Sequence, residues 1–165
     1  MQELKIKIAD VQAAEEKLRN AGATFVEELS FTDTYFKQPP GDVFKVSDTG
    51  KGYFLVQLKK TTDGKFDCLK NYQIDNSAQV ISEMTGEYGI KSVLKGKRRI
   101  FSLGDMQVTI STIDTLGSFL IVTAENPTPE IITSKLSIQN PEFIQVSFDE
   151  LPATTPAAAS PSPQQ

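Results

Sequence analysis

The chain has 165 residues, a formal net charge of −4, and apolar and charged fractions of 39% and 23%, values typical of one globular domain that needs no disulfides. It contains no histidine and a single cysteine, Cys68, which excludes an intramolecular disulfide, Ser-His-Asp catalysis and histidine-ligated metals. The sequence has no long apolar run and no secretory leader, so we expect a cytoplasmic protein without a membrane segment. The negative total also argues against general nucleic-acid binding.

The first part of the chain predicts a strand, a helix and further strands. Leu4, Ile6 and Ile8 alternate with charged residues, which is typical of a half-buried strand. We expect Asp10 to cap the helix that follows, because apolar residues then recur at helical spacing until Gly22. Strands are predicted over 24–28 and 31–37, with a loop over 38–42.

The remainder predicts mostly strands. Asp63-Gly64 is a strong hairpin signal, Asp75 or Asn76 is a second helix cap, and Pro129 opens a C-terminal helix that reaches about Leu136. The strands are predicted over 43–46, 53–60, 66–74, 90–102, 106–111 and 118–124.

The two halves of this pattern repeat each other. Asp10 and Asp75 are separated by 75 − 10 = 65 residues, and Phe36 and Phe101 by 101 − 36 = 65 residues. Because the order of predicted elements is also the same, a duplicated half-barrel would explain the repeat. From Ala153 the composition changes to Pro, Ala, Ser and Thr, so we predict a domain over 1–152 and a disordered tail over 153–165.

Five segments between residues 2 and 151 carry the motifs of one known family in the same order. They are Glu3–Lys7, Thr32–Phe36, Lys97–Phe101, Ile110–Phe119 and Ser147–Leu151. Together they resemble the CYTH family of triphosphate-tunnel proteins, which includes class IV adenylate cyclases and thiamine triphosphatases. The resemblance implies an α+β fold built on a closed antiparallel β-barrel of about eight strands, with helices packed outside.

The resemblance also implies a ligand site inside the tunnel. In this family basic side chains bind a triphosphate and acidic side chains hold Mg²⁺ or Mn²⁺. The positions that match the basic motifs, and to which we assign phosphate binding, are Lys5, Lys7, Lys45, Lys59, Lys97 and Arg98. Arg99 has the opposite strand parity to Arg98 and is expected outside.

The acidic half of the family's site is largely missing. The matching positions are occupied by Lys5, Asn71, Gln73, Ser111, Ile121 and Thr123. Glu3 remains as the one expected carboxylate in the tunnel and a candidate metal ligand, with Asp114 as a possible second. Divalent ions of this kind require carboxylate oxygens, so these residues make a poor two-metal site.

Three functions remain open at this point. The chain is a binder of a phosphate-containing small anion (nucleotide, cyclic nucleotide or polyphosphate) in a basic tunnel without efficient catalysis; or it is an active class IV adenylate cyclase or triphosphatase that uses Mg²⁺ or Mn²⁺; or it is a partner-binding scaffold with a vestigial tunnel. Metal-dependent turnover separates the second function from the others, and ligand-dependent thermal stabilisation separates the first from the third.

Overall fold

A computed structural model describes residues 1–153, so the predicted tail lies outside the described residues except for Ala153. Within 1–153, no helix is long and apolar enough to cross a bilayer. The elements in chain order are β1 (Gln2–Ile8), α1 (Val11–Asn20), β2 (Thr24–Phe36), β3 (Asp42–Asp48), β4 (Tyr53–Lys60), β5 (Phe66–Ile74), α2 (Ser77–Tyr88), β6 (Ile90–Leu103), β7 (Met106–Ile113), β8 (Gly117–Ala124), a π-helical turn (Ile131–Lys135), β9 (Glu142–Ile144) and a 3-10 turn (Phe148–Glu150).

The strands form an antiparallel ring that closes at β1. The order is β5-β4-β3-β2-β6-β7-β8-β1-β9, and β5 also pairs with β1. One edge of β1 pairs with β8 along its whole length. Its other edge is shared, since Gln2 and Glu3 pair with β5 whereas Lys5–Lys7 pair with β9. This arrangement agrees with the expected tunnel-like α+β fold of about eight antiparallel strands.

The second half of the ring repeats the first. Each element of β1-α1-β2-β3-β4 begins 64 to 66 residues before its counterpart in β5-α2-β6-β7-β8 (66 − 2, 77 − 11, 90 − 24, 106 − 42 and 117 − 53). The strand pairings also respect the repeat. β1 pairs with β8, and their counterparts β5 and β4 pair with each other, while β2 pairs with its own counterpart β6. The duplication indicated by the sequence therefore extends through all eight ring strands.

The largest apolar core lies outside the ring, beneath α1. Leu4 and Ile6 project from the outer face of β1 and pack in one cluster with Leu18 of α1 and Ile132 of the π-helical turn. α1 begins where predicted, since Asp10 Oδ1 accepts a hydrogen bond from the backbone N–H of Ala13 at 3.0 Å. The alternation of β1 leaves Glu3 and Lys5 on the face that looks into the ring.

Three sequence expectations differ from the structure. The two strands predicted over 24–37 are one strand, β2, whose register shifts between Phe25 and Glu27. The helix predicted from Pro129 to about Leu136 forms over residues 129–135, but its last five residues are π-helical instead of α-helical. Neither β9 nor the 3-10 turn was predicted, since each is too short to show a period.

The last described segment folds back to the interior of the ring. Phe148 packs against Phe119 of β8, with ring centroids 4.8 Å apart. A capping box at Ser147 orders the 3-10 turn, and Asp149 forms an ion pair with Lys91 of β6 at 2.9 Å. These contacts hold the side chain of Phe148 against the inner face of the sheet.

Candidate functional site

A cavity of about 360 Å³ lies inside the ring. It is lined by inner-face side chains of the eight ring strands and by Phe148, and the lining is polar in part and apolar in part. Its charged members among the described residues are Glu3, Asp33, Lys45 and Arg98. The cavity therefore combines apolar surface with four charged residues that water reaches only in part.

Asp33 is the centre of a buried charge cluster. Only 1% of this residue is exposed. Its Oδ2 accepts hydrogen bonds from Lys45 Nζ at 2.8 Å and from Arg98 Nη2 at 2.6 Å, while its Oδ1 accepts one from the Ser47 hydroxyl at 2.6 Å. Arg98 Nη1 also donates to Ser47 Oγ at 3.1 Å. One carboxylate thus fixes the positions of two cations on the cavity wall.

The strand pairings explain why these residues meet. Asp33 of β2 is the direct cross-strand partner of Ser47 of β3. Arg98 lies on β6, the other neighbour of β2, where it is paired with Leu29. Residues of one strand parity share one face of the sheet, so the long Lys45 and Arg98 side chains reach Asp33 from opposite sides.

The charged residues of the cluster shift each other's pKa values. Burial favours the neutral form of Asp33, but the nearby charges of Lys45 and Arg98 and the hydrogen bonds from Lys45 and Ser47 outweigh it and hold the pKa of Asp33 below its usual value. Burial opposes the charged form of Lys45 as well, but Asp33 outweighs that effect and raises the pKa of Lys45. Asp33 and Lys45 are therefore both charged at neutral pH, beside a guanidinium that is always charged in proteins.

Lys5 lies deeper and has a different environment. It is 3% exposed, and its Nζ donates a hydrogen bond to the backbone carbonyl of Val146 at 2.9 Å. The ammonium lies between two aromatic rings, 4.2 Å from the centroid of Phe66 and 4.4 Å from that of Phe148. Burial lowers the pKa of Lys5 to about 8, because removal from water disfavours the charged form.

The cavity is less basic than the sequence predicted. Among the described lining residues the carboxylates of Glu3 and Asp33 balance the charges of Lys45 and Arg98, which leaves Lys5 as the excess cation nearby. The expectation that Glu3 is the one carboxylate in the ring is wrong, because Asp33 also faces inward. The alternation of Asp33 with Phe31 and Tyr35 on β2 was a signal for this position, but the expectation treated Asp33 only as part of a family motif.

Two of the predicted basic residues lie on the outer surface. Lys97 is exposed and lies with Arg99 in an outer depression, because the strand neighbours of Arg98 point away from the ring. Lys59 is also exposed, and its parity on β4 is opposite to that of Phe54 and Val56, which line the cavity.

Lys7 is exposed and is not among the lining of the cavity. Its side chain passes beside Gly117, where an added Cβ would lie 4.0 Å from Lys7 Cε. Of the six predicted residues, Lys45 and Arg98 line the cavity, Lys5 is buried beside it against Phe66 and Phe148, and the other three lysines are exposed. Arg99 points outward as predicted and is paired with two glutamates, Glu15 and Glu28.

Most positions that match the family's acidic residues do face the interior. Asn71, Ser111, Ile121 and Thr123 all line the cavity with Glu3. Gln73 is exposed and lies outside that lining, and Asp114, the possible second carboxylate, instead lines the outer depression. Within 1–153 no three His, Cys, Asp or Glu residues are grouped to hold a metal.

This donor set does not fit a two-metal site. Both oxygens of Asp33 already accept hydrogen bonds from Lys45, Arg98 and Ser47, so a cation there would meet two positive charges. Glu3 is then the one carboxylate of the described lining without such partners, and the neutral oxygens around it add no charge to attract Mg²⁺ or Mn²⁺.

Comparisons with known proteins show a fold likeness only. No protein-family model matches the sequence, and no curated protein matches it. The PH1012 protein of Pyrococcus horikoshii OT3 is similar in structure with a TM-score of 0.80 at 17% identity, over 92% of this chain and 99% of that chain.

Two further solved structures carry functional descriptions of their own. A candidate adenylate cyclase from Vibrio parahaemolyticus has a TM-score of 0.66 at 16% identity, over 90% of this chain and 95% of that chain. A candidate adenylyl cyclase from Hippeastrum, described with a dominant triphosphatase activity, has a TM-score of 0.59 at 11% identity, over 89% and 92%. The ring of this chain is thus a fold that such proteins share.

Three residues of the site were not singled out as such from the sequence. Asp33 had a usable signal, because an aspartate between Phe31 and Tyr35 on one face of a strand is unfavourable unless it is paired. Ser111 was noted only as a lost carboxylate, and Phe148 only as part of a motif. The roles of Ser111 and Phe148 depend on long-range packing that local sequence does not encode.

Proposed function

We propose that this chain is a CYTH-like protein that binds a phosphate-containing anion inside the ring and does not turn it over efficiently. The observation that carries the proposal is the convergence of Arg98 and Lys45 on one wall of the cavity inside the ring. The structural likeness to candidate cyclases and to a protein with triphosphatase activity supports a phosphate ligand. The domain concerned is 1–152.

Both cations keep donors for a ligand. A guanidinium carries five N–H groups and an ammonium three. Among the described residues, Arg98 donates from Nη1 and Nη2 to Ser47 and Asp33, and Lys45 donates to Asp33 and at 3.4 Å to the Tyr35 hydroxyl. The unused donors lie on a cavity wall where water is partly excluded, and charge-assisted hydrogen bonds to phosphate oxygens are strongest there.

The lack of efficient turnover follows from the donor set. Phosphoryl chemistry on a triphosphate depends on metal ions that neutralise developing charge. The cavity offers them Glu3 and neutral oxygens, whereas Ile121 cannot ligate a metal and Lys5 would repel one. We therefore expect binding that persists in EDTA and weakens as salt concentration rises.

Thermal stabilisation of the full chain tests this proposal. Unfolding is followed in EDTA with AMP, cyclic AMP, ATP or tripolyphosphate. We expect at least one of them to raise the Tm of the wild type and of the outer-surface control Lys97→Gln, and the shift to disappear in Arg98→Gln. A shift retained in Arg98→Gln, or no shift with any phosphate compound, would refute the proposed site.

The activity described for the Hippeastrum protein favours one second candidate, a metal-dependent cyclase or triphosphatase. Release of phosphate or formation of cyclic AMP by the pure chain, dependent on Mg²⁺ or Mn²⁺ and lost in Glu3→Gln, would establish that candidate and displace the non-catalytic one.

A further inference from the structure

We infer that the ligand of the cavity carries one oxyanion group on an apolar body, and that the Ser111 hydroxyl binds this oxyanion together with Arg98. The inference rests on the proposed function and narrows its ligand class. It excludes a polyphosphate, which the sequence alone had left open.

Ser111 is the first line of support. It is 1% exposed and lines the cavity, yet its Oγ has no hydrogen-bond partner among the described residues. A buried hydroxyl without a partner costs free energy, so such groups call for an explanation. Ser111 is the direct cross-strand partner of Arg98, so an oxyanion that accepts from the free N–H groups of Arg98 can also accept from this hydroxyl.

The wall beside this pair is apolar. Arg98 stacks on Phe31, with its guanidinium carbon 3.9 Å from the ring centroid. The apolar lining continues through Phe54, Leu94, Ile113, Ile121 and Phe148. A cavity of about 360 Å³ in which an apolar wall lies beside a few convergent polar groups is typical of sites for small organic ligands. The oxyanion would thus bind at Arg98 while the body covers this apolar wall.

The charge balance argues against a polyphosphate. Asp33 and Glu3 together balance the charges of Lys45 and Arg98, which leaves the buried Lys5 as the excess cation among the described residues of the site. A triphosphate would bring several further negative charges, and charge that is buried without a partner is expensive. One oxyanion group can be held by the remaining donors of Arg98, Lys45 and Ser111.

Binding of 1-naphthyl phosphate tests the inference by isothermal titration of the full chain in EDTA. Four compounds are compared with it. Inorganic phosphate has the oxyanion without the apolar body, and 1-naphthol has the apolar body without the oxyanion. Tripolyphosphate carries more negative charge, and 1-naphthoate carries a carboxylate on the same apolar body. We expect 1-naphthyl phosphate to bind at least tenfold more tightly than phosphate, 1-naphthol or tripolyphosphate. Equal or tighter Arg98-dependent binding of tripolyphosphate would overturn the inference and leave the proposed function standing.

Two further results of the titration bear on the two proposals differently. If 1-naphthoate binds more tightly than 1-naphthyl phosphate, the single oxyanion on an apolar body is upheld but is a carboxylate, which contradicts the phosphate ligand of the proposed function. If none of these compounds binds, the inference fails, and the result with the nucleotides in the thermal-unfolding test decides the proposed function.

Two serine variants isolate the hydroxyl. Ser111→Ala should weaken 1-naphthyl phosphate binding roughly tenfold, which is the loss of one hydrogen bond to a charged group, and should not lower the Tm of the free protein because no hydrogen bond is lost there. Ser92→Ala removes the other buried hydroxyl without a partner among the described residues, at a position outside the cavity lining, and should leave binding unchanged. Equal affinity of Ser111→Ala and wild type would overturn the role of Ser111.

Discussion

At the scale of single residues, Asp33 decides the electrostatics of the cavity. We predict that Asp33→Asn destabilises the fold by roughly 3 kcal/mol, because removing one partner leaves the buried Lys45 and Arg98 charges uncompensated. Denaturant unfolding at pH 7 measures this loss, with the exposed Asp105→Asn as a control that should change little. The same variant should be stabilised more than the wild type by a phosphate ligand, since its cations are free.

The stability difference between wild type and Asp33→Asn should depend on pH in a definite direction. The pKa of Asp33 is lower in the folded chain than in the unfolded chain, so its contribution is present above the unfolded value of about 4 and is lost as the pH falls through the folded value. The stability difference between wild type and Asp33→Asn should therefore shrink in acid. A difference that stays constant from pH 7 to pH 3 would show that Asp33 is not held ionised by its partners.

Lys5 should also make stability rise with pH, but in the alkaline range. Its pKa is about 8 in the folded chain against 10.5 as the ordinary value, so the unfolded chain binds more protons between these values and stability rises with pH in that window. We predict that wild type gains roughly 2 kcal/mol relative to Lys5→Met between pH 7 and pH 10. Unfolding of both proteins at each pH measures the difference, and a relative gain near zero would show that Lys5 is not buried in this way.

At the scale of elements, the segment after β9 contributes Phe148 to the wall of the cavity. Phe148 covers Lys5 and packs on Phe119, so Phe148→Ala should destabilise the fold by roughly 2 kcal/mol and move the pKa of Lys5 back toward its ordinary value. Phe143→Ala removes a phenylalanine that packs in the outer core beneath α1 instead and serves as the control. It should destabilise without altering the pH dependence that Lys5 causes; the same pH effect in both variants would contradict the placement of Phe148.

The sequence predicted the bounds of several strands correctly, but it did not predict which side chains face the inside of the ring. Tyr53–Lys60 and Phe66–Ile74 were predicted with the bounds observed, because alternation and turn residues are local signals. The family motif assigned both Lys97 and Arg98 to the inside of the ring. Strand alternation allows only one of two neighbouring residues to face inward, and in the structure that residue is Arg98. Lys59 was assigned inward by motif alone, whereas its own strand parity places it outside.

The compensation of the Arg98 and Lys45 charges by Asp33 could not be predicted from the sequence either. It depends on Asp33 meeting Arg98, 65 residues later in the chain, and these two residues occupy matching positions in the repeated halves. The repeat was visible in the sequence, but the pairing of β2 with β6 that joins the two positions was not. The inward position of Phe148 likewise depends on a return of the chain to the ring that no local sequence pattern indicates.

At the scale of the whole molecule, the domain should be independent of the tail. Ending the chain at Ala153 removes only Thr, Pro, Ala, Ser and Gln residues, which have little apolar surface to bury. We predict that the truncated protein has the same Tm as the full chain within error, measured by differential scanning calorimetry. A fall of several degrees would show that the tail packs on the domain.

The central claim is that an anion binds inside the ring, on the wall formed by Arg98, Lys45 and Ser111, without a metal. The most direct test is a titration of the ¹⁵N-labelled full chain with 1-naphthyl phosphate in EDTA, followed by two-dimensional NMR. The account predicts that the largest chemical-shift changes fall on Arg98, Ser111 and Ser47 and saturate at one ligand per chain. Changes confined to outer-face residues such as Lys59 and Lys97, or no saturable change, would contradict it.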